Sequence, residues 1–190
     1  MTATLAPFGL RVAYPPVGNI RPRAVANAIQ SGYGTAIYMD QPVLFTTSGL
    51  LQPVAANNVD FIGTFAGCQF TDSLGRFRVS NYWPAGQTYL GDFTAFVNGM
   101  DDPDLIYEIQ ADGSIPQTGL LDQASLNNFA NNSAGYSQAT ISATLVGAGV
   151  QGQLAIIDKG LQVDNDWGDA YTIVRVRIAR HQLRANKVAV

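Results

Sequence analysis

The chain has 190 residues, 47% of them hydrophobic and only 13% charged, with a formal net charge of −3. That length suits one domain, or one domain with extended arms, and the apolar content is enough for a core rather than a disordered chain. The negative balance argues against a general nucleic-acid binder, which needs a concentrated basic face, and no run approaches the roughly 20 apolar residues of a membrane-spanning helix.

So little charge has two explanations: surface hidden against a partner, or a small β-protein dressed in Asn, Gln, Ser and Thr. Lys159 and Lys187 are the only lysines, so nearly all the positive charge is arginine, the residue of planar, bidentate contacts. Cys68 is the only cysteine, which rules out an intrachain disulfide. The opening Met-Thr-Ala-Thr-Leu-Ala-Pro lacks the cationic start and apolar core of a signal peptide. A reducing, aqueous compartment is the expectation.

Residues 1–30 read as an extended N-terminal arm preceding a β-rich domain over 31–190. Pro7, Pro15, Pro16, Gly18 and Pro22 forbid a long helix there, and Arg11, Arg21 and Arg23 space out the charge. Ala24 to Gln30 fits one or two helical turns and an extended run equally well. Thr35 to Met39 and Pro42 to Thr46 read as two strands joined by Asp40-Gln41. Asp60 to Phe70 is a third, in which Gly63 and Gly67 mark bulges or tight packing.

Arg76 to Ser80 alternates polar and apolar with the period of a half-buried strand. Asp92 to Val97 and Leu105 to Ile109 are rich in β-branched and aromatic residues, separated by Asn98-Gly99 turn chemistry. Residues 119–137 turn to Asn, Ser, Gln and Ala. Asp122 could cap a short helix with Leu126, Phe129 and Ala130 on its apolar side, and an exposed loop fits as well. Alternation returns over Ala139 to Leu145 and Gln153 to Val163. It is cleanest over Tyr171 to Arg180, where Thr172, Val174, Val176 and Ile178 share one face and Arg175 and Arg177 the other. The pattern predicts a single-domain antiparallel β-barrel or sandwich with at most short helices.

Catalytic chemistry finds little purchase. Gly147-Ala148-Gly149-Val150-Gln151-Gly152 is a literal GxGxxG, but a dinucleotide site needs a following helix and further βα units, so a glycine-rich hairpin is expected. Asp164-Asn165-Asp166-Trp167-Gly168-Asp169 resembles part of a calcium loop, yet Arg175 stands where a bidentate Glu belongs. That cluster and Asp101-Asp102-Pro103-Asp104 are expected to be Asx-type turns between strands. His181 is the only histidine, there is no GxSxG elbow, and Cys68 reads as a small core residue. No enzyme activity, cofactor or metal is expected. Trp83, Trp167, Tyr82, Tyr89, Tyr107, Tyr136 and Tyr171 fill a core or turns, face a protein partner, or form a sugar platform.

Three blocks carry a resemblance. They are Ala6-Pro7-Phe8-Gly9-Leu10-Arg11 with Ser31 to Val43; Ser80-Asn81-Tyr82-Trp83-Pro84-Ala85 with Asp101 to Gln110; and Asp164 to Tyr171 through His181-Gln182. Together they resemble tailed-bacteriophage virion proteins of the head-decoration, or capsid cement, type. The resemblance implies a homo-oligomer, often a trimer, that binds the exterior of an icosahedral head and bridges major capsid subunits without touching nucleic acid or membrane. Assembly would take place in the bacterial host cytoplasm. Contact would fall on the Pro7 to Arg23 segment (Pro7, Phe8, Arg11, Arg21, Arg23) and on Arg175, Arg177, Arg180 and Arg184. Repetition over a closed shell would multiply modest contacts. The alternative is a tail or receptor-binding virion module whose aromatics face glycan.

Overall fold

Period-two alternation broken by turn residues dictates strands, and the computed structural model shows them nearly everywhere. It describes residues 4–14, 21–56, 59–131 and 134–184. Among these, the strands in chain order are β1 (Arg11–Tyr14), β2 (Arg23–Ala26), β3 (Pro42–Phe45), β4 (Leu51–Pro53), β5 (Gly63–Asp72) and β6 (Phe77–Ser80). They continue with β7 (Tyr89–Asn98), β8 (Ile106–Gln110), β9 (Gln123–Asn127), β10 (Thr140–Leu145), β11 (Leu154–Lys159) and β12 (Ile173–Ile178). One 3₁₀ turn, Gln117–Gly119, is the sole helical element among the described residues.

The strands form two antiparallel sheets, neither closed into a barrel, in a mainly β sandwich. The first sheet runs β1-β8-β12-β11-β9-β10, and the second runs β2-β7-β5-β3-β4, with β6 paired to β5 beside that path. Each sheet has its own apolar cluster. Tyr107, Ile109, Leu126, Ile141, Ile156 and Val176 anchor the first, and Phe65, Phe70, Trp83, Phe93 and Val97 the second. Phe61 and Ile62 show how the two are kept apart: successive extended residues point to opposite sides, and they join the first and second clusters respectively. Around Trp83 the rings of Phe93 and Phe70 stand edge-on at 5.2 and 5.4 Å, the geometry that ring quadrupoles favour.

The sheets are pinned together at one end. His181 is fully buried there, where Phe61 N–H donates to Arg180 O at 3.1 Å and Gln182 N–H returns to Phe61 O at 3.1 Å. Leu183 N–H donates to His181 Nδ1 at 3.2 Å, so Nε2 carries the proton and donates to Gly99 O at 3.1 Å. The only histidine of the chain is therefore a structural one.

The described parts of the opening, 4–14 and 21–30, form no arm apart from the domain but contribute a strand to each sheet. β1 pairs with β8 in one sheet and β2 with β7 in the other, while Leu10 and Ile29 are fully buried. Gln110 fastens the first described residues, accepting from Ala6 N–H at 2.8 Å and donating to Thr4 O at 3.0 Å. Ala24 to Ala26 is strand rather than helix. Pro15, Pro16, Gly18 and Lys187 lie outside the described residues.

Elsewhere the structure corrects local expectations. Asp122 caps no helix. Its carboxylate accepts Gln123 N–H at 2.8 Å, and β9 follows because it can fill the slot between β10 and β11 and bury Ala124 and Leu126. The same insertion means that residues 146–153 are no hairpin but a crossing over β9. Thr35 to Met39 makes only bridges, at Ile37 and Met39, before Asp40 turns the chain with φ +58°. Asp102 makes the Asx turn expected, accepting Asp104 N–H at 3.1 Å, whereas the second acidic cluster turns through the backbone: Asp169 N–H donates to Asp166 O at 3.2 Å and the Asp169 carboxylate accepts Asp166 N–H at 2.8 Å. Gly67 sits at a bulge between Phe65 and Cys68, and Gly63 abuts Asn98.

Candidate interaction surface

Of the arginines expected to reach outward, all but Arg21 meet a carboxylate within the fold. Arg11 and Arg175 converge on Glu108 at 3.0 and 3.3 Å, and each also lies over an aromatic ring, Phe8 at 4.6 Å and Tyr14 at 5.1 Å. Burial would push the Glu108 carboxyl up, but the two guanidiniums outweigh it and hold it below its ordinary range. Arg184 clasps Asp104 through both carboxylate oxygens and Arg177 approaches the same carboxylate at 3.5 Å. That clasp holds Asp104 low as well. Arg180 meets Asp60 at 2.7 Å, and Arg23 meets Asp101 at 3.4 Å. Arg21 is exposed, and Pro7 and Phe8 are half-buried against the first sheet's edge.

These residues form no single patch. Glu108 gathers its arginines on the outer face of the first sheet, whereas Asp104 gathers others beside the crossing between sheets.

A more pronounced surface lies on the hairpin joining β5 to β6. Asp72-Ser73-Leu74-Gly75 is its turn: Gly75, at φ +76°, supplies the left-handed step, and its N–H donates to Asp72 O at 2.9 Å. One oxygen of the Asp72 carboxylate accepts the N–H groups of Leu74 and Arg76, both at 3.0 Å. The other accepts Nε of Arg76 and Nε of Arg78, both at 3.0 Å. Those bonds, the backbone one from Arg76 foremost, keep Asp72 ionised far below the usual carboxylate range.

β6 itself is an edge. Its residues pair with β5 as Phe77 with Thr71, Arg78 with Phe70, Val79 with Gln69 and Ser80 with Cys68. Asp72 N–H donates to Arg76 O at 2.9 Å, which fixes the alternation of the ladder. In an antiparallel pair every second residue bonds inward, so Arg78 and Ser80 bond β5 while the peptide groups of Phe77 and Val79 face away from it. The Phe77 and Val79 side chains are 66% and 73% exposed, and exposed Leu90, across Thr71 from Phe77, extends the apolar row. Beside β6, Phe70, Asp72, Leu74, Arg76, Arg78 and Val79 help line an open pocket of about 380 Å³. Among the described residues, the guanidinium Nη groups of Arg76 and Arg78 meet no hydrogen-bond partner.

The alternation of Arg76 to Ser80 predicts a half-buried strand, but Phe77, Arg78 and Val79 are all exposed. Two arginines alternating with Phe and Val could have signalled that exposure, because an edge strand of that composition leaves one apolar face uncovered.

Cys68 is buried with its thiol pushed up to about 12 by desolvation, which leaves it unreactive at neutral pH. Among the described residues no three His, Cys, Asp or Glu side chains are placed to hold a metal ion, and no helix is long and apolar enough to cross a membrane. No family model matches the chain, and neither curated proteins nor solved structures give a match.

Proposed function

We propose that this protein is a non-enzymatic structural component of a tailed-phage virion that binds the outside of the head and bridges major capsid subunits, as a homo-oligomer. The observation that carries this reading is the uncovered apolar edge of β6. Monomeric domains rarely leave large side chains aligned beside unpaired peptide groups, because such an edge recruits other chains. The sequence resemblance supplies the head as partner. The internal pairing of Arg11, Arg175, Arg177, Arg180 and Arg184 shifts the expected contact from those arginines to the β5–β6 hairpin.

Cryo-electron microscopy of particles carrying this chain tests the reading. Density on the outer head surface with the β5–β6 hairpin against capsid subunits is the expected result. Density confined to the tail, together with glycan binding by the isolated protein, would overturn it in favour of a receptor-binding module.

A further inference from the structure

We infer that β6 accepts an added strand from another protein chain, and that this strand alternates apolar with acidic residues. The unpaired peptide groups of Phe77 and Val79 offer two N–H donors and two carbonyl acceptors in the spacing of a β-ladder. The two faces of β6 then set the partner's composition. On one face Phe77, Val79 and Leu90 are exposed and want apolar neighbours. On the other, Arg76 and Arg78 each commit only Nε to Asp72, leaving four Nη groups over an open pocket. A guanidinium has five N–H donors, so a carboxylate arriving opposite either arginine finds a bidentate partner already held in position. Two positive charges against one negative at this site favour an acidic strand.

A second copy of this chain fits less well. The register that bonds Phe77 to Val79 across a two-fold axis sets Arg78 opposite Arg78, about 4.5 Å apart at Cα, and like charges so placed repel. Centring on Phe77 sets Arg76 against Arg78 twice. Centring on Val79 avoids both but carries Phe77 past the end of β6, opposite Asn81.

The inference rests on the protein-contact reading of this edge but does not require a phage head as the partner. Head binding without strand addition would overturn the inference alone, and strand addition without head binding would overturn the head assignment alone.

The test uses the full chain and three blocked eight-residue peptides, alternating valine with glutamate, with lysine or with serine. Fluorescence anisotropy should show the glutamate peptide binding about tenfold more tightly than either control. In the complex the amides of Phe77 and Val79 should become protected from hydrogen exchange. Val79→Pro removes an outward N–H without touching the β5 ladder and should abolish binding; Arg78→Gln should weaken it. Thermal unfolding checks that each variant is folded, and the exchange measurement on the unaltered chain stands if one is not. Equal binding of the lysine peptide, no binding at millimolar concentration, or unchanged exchange at Phe77 and Val79 would overturn the inference. So would a dimer in sedimentation that Val79→Pro dissolves, since the edge would then belong to a second copy.

Discussion

Arg175 stands directly across the ladder from Glu108 on adjacent strands, and its Nε meets the carboxylate at 3.3 Å. Arg11 stands across from the same residue on the other side and meets it at 3.0 Å. One carboxylate thus ties three neighbouring strands, β1, β8 and β12, on the outer face of the first sheet. Gln162 adds a further donor at 3.2 Å. The only Glu in the chain is a cross-strand clasp, and it holds β1 against the rest of the sheet.

Glu108→Gln should therefore destabilise the fold out of proportion to a surface change. The Arg175 side chain is only 15% exposed and would lose its charged partner, and removing one member of a largely buried pair leaves the other uncompensated. A loss of about 1–3 kcal/mol in urea unfolding is expected. Arg177→Gln, at an exposed pair, should cost less than about 0.5 kcal/mol. Similar costs for both would show that Glu108 ties nothing together.

His181 gives the fold a pH limb. Desolvation outweighs the bonds to backbone oxygens of Gly99 and Ile62 and lowers its pKa below 6.5, with Arg184 opposing the charged form and Asp104 favouring it. The neutral ring is the folded one. Its contribution is complete above pH 6.5 and is lost as pH falls from there towards the lowered folded value, because the unfolded chain protonates first. In an Asp40→Asn background, which removes the opposing gain of that carboxyl over the same range, urea midpoints from pH 7.5 down to 5 should fall, and the fall should be absent once His181→Gln is added.

Asp40 works in the opposite sense. Burial pushes its carboxyl up to about 6 from an ordinary 3.8, with Arg11 pulling partly back. The folded state prefers the protonated acid. Its contribution is complete below pH 3.8 and is lost as pH rises through about 6. Asp40→Asn should be more stable than the unaltered chain above pH 6 by up to about 3 kcal/mol, and the difference should vanish near pH 4. A constant difference across that range would place the Asp40 carboxylate in solvent.

The β6 edge should be separable from stability. Phe77 and Val79 project from the outer face, so Phe77→Ser with Val79→Ser should move the unfolding free energy by less than about 0.5 kcal/mol. The same pair of changes should abolish attachment to heads in co-sedimentation. Attachment that survives them would move the contact elsewhere on the surface.

Much of this architecture was legible in the sequence because alternation survives wherever a strand has one wet face. Tyr171 to Arg180 is the clearest instance: Val174, Val176 and Ile178 are buried as the period required. β8 is covered on both sides, and its β-branched and aromatic content marked it where period alone would not. The Asp122 region escaped because Gln123 to Asn127 has little propensity of its own and becomes a strand by filling a slot between two others. The surface was less legible still. Whether an arginine faces solvent or a carboxylate depends on pairings such as Arg184 with Asp104, which lie far apart in the chain. Which alternating strand ends up as an edge is likewise a property of topology.

Gly63 offers the sharpest test of the packing between strands. A Cβ built there would lie 1.8 Å from Asn98 O. That carbonyl cannot retreat, because Asn98 is paired with Thr64 in the β5–β7 ladder and Tyr107 Oη donates to it at 3.3 Å from the first sheet. Gly63→Ala must therefore part β5 from β7 or break the bond that joins the sheets, at a cost of about 3 kcal/mol or more. Gly75 is the control. It has φ +76° and open space around it, so Asn, which tolerates that backbone, should be accepted within about 0.5 kcal/mol. Denaturant titrations of the two variants side by side decide the matter, and a Gly63→Ala protein as stable as Gly75→Asn would mean that β5 and β7 do not approach as closely as described.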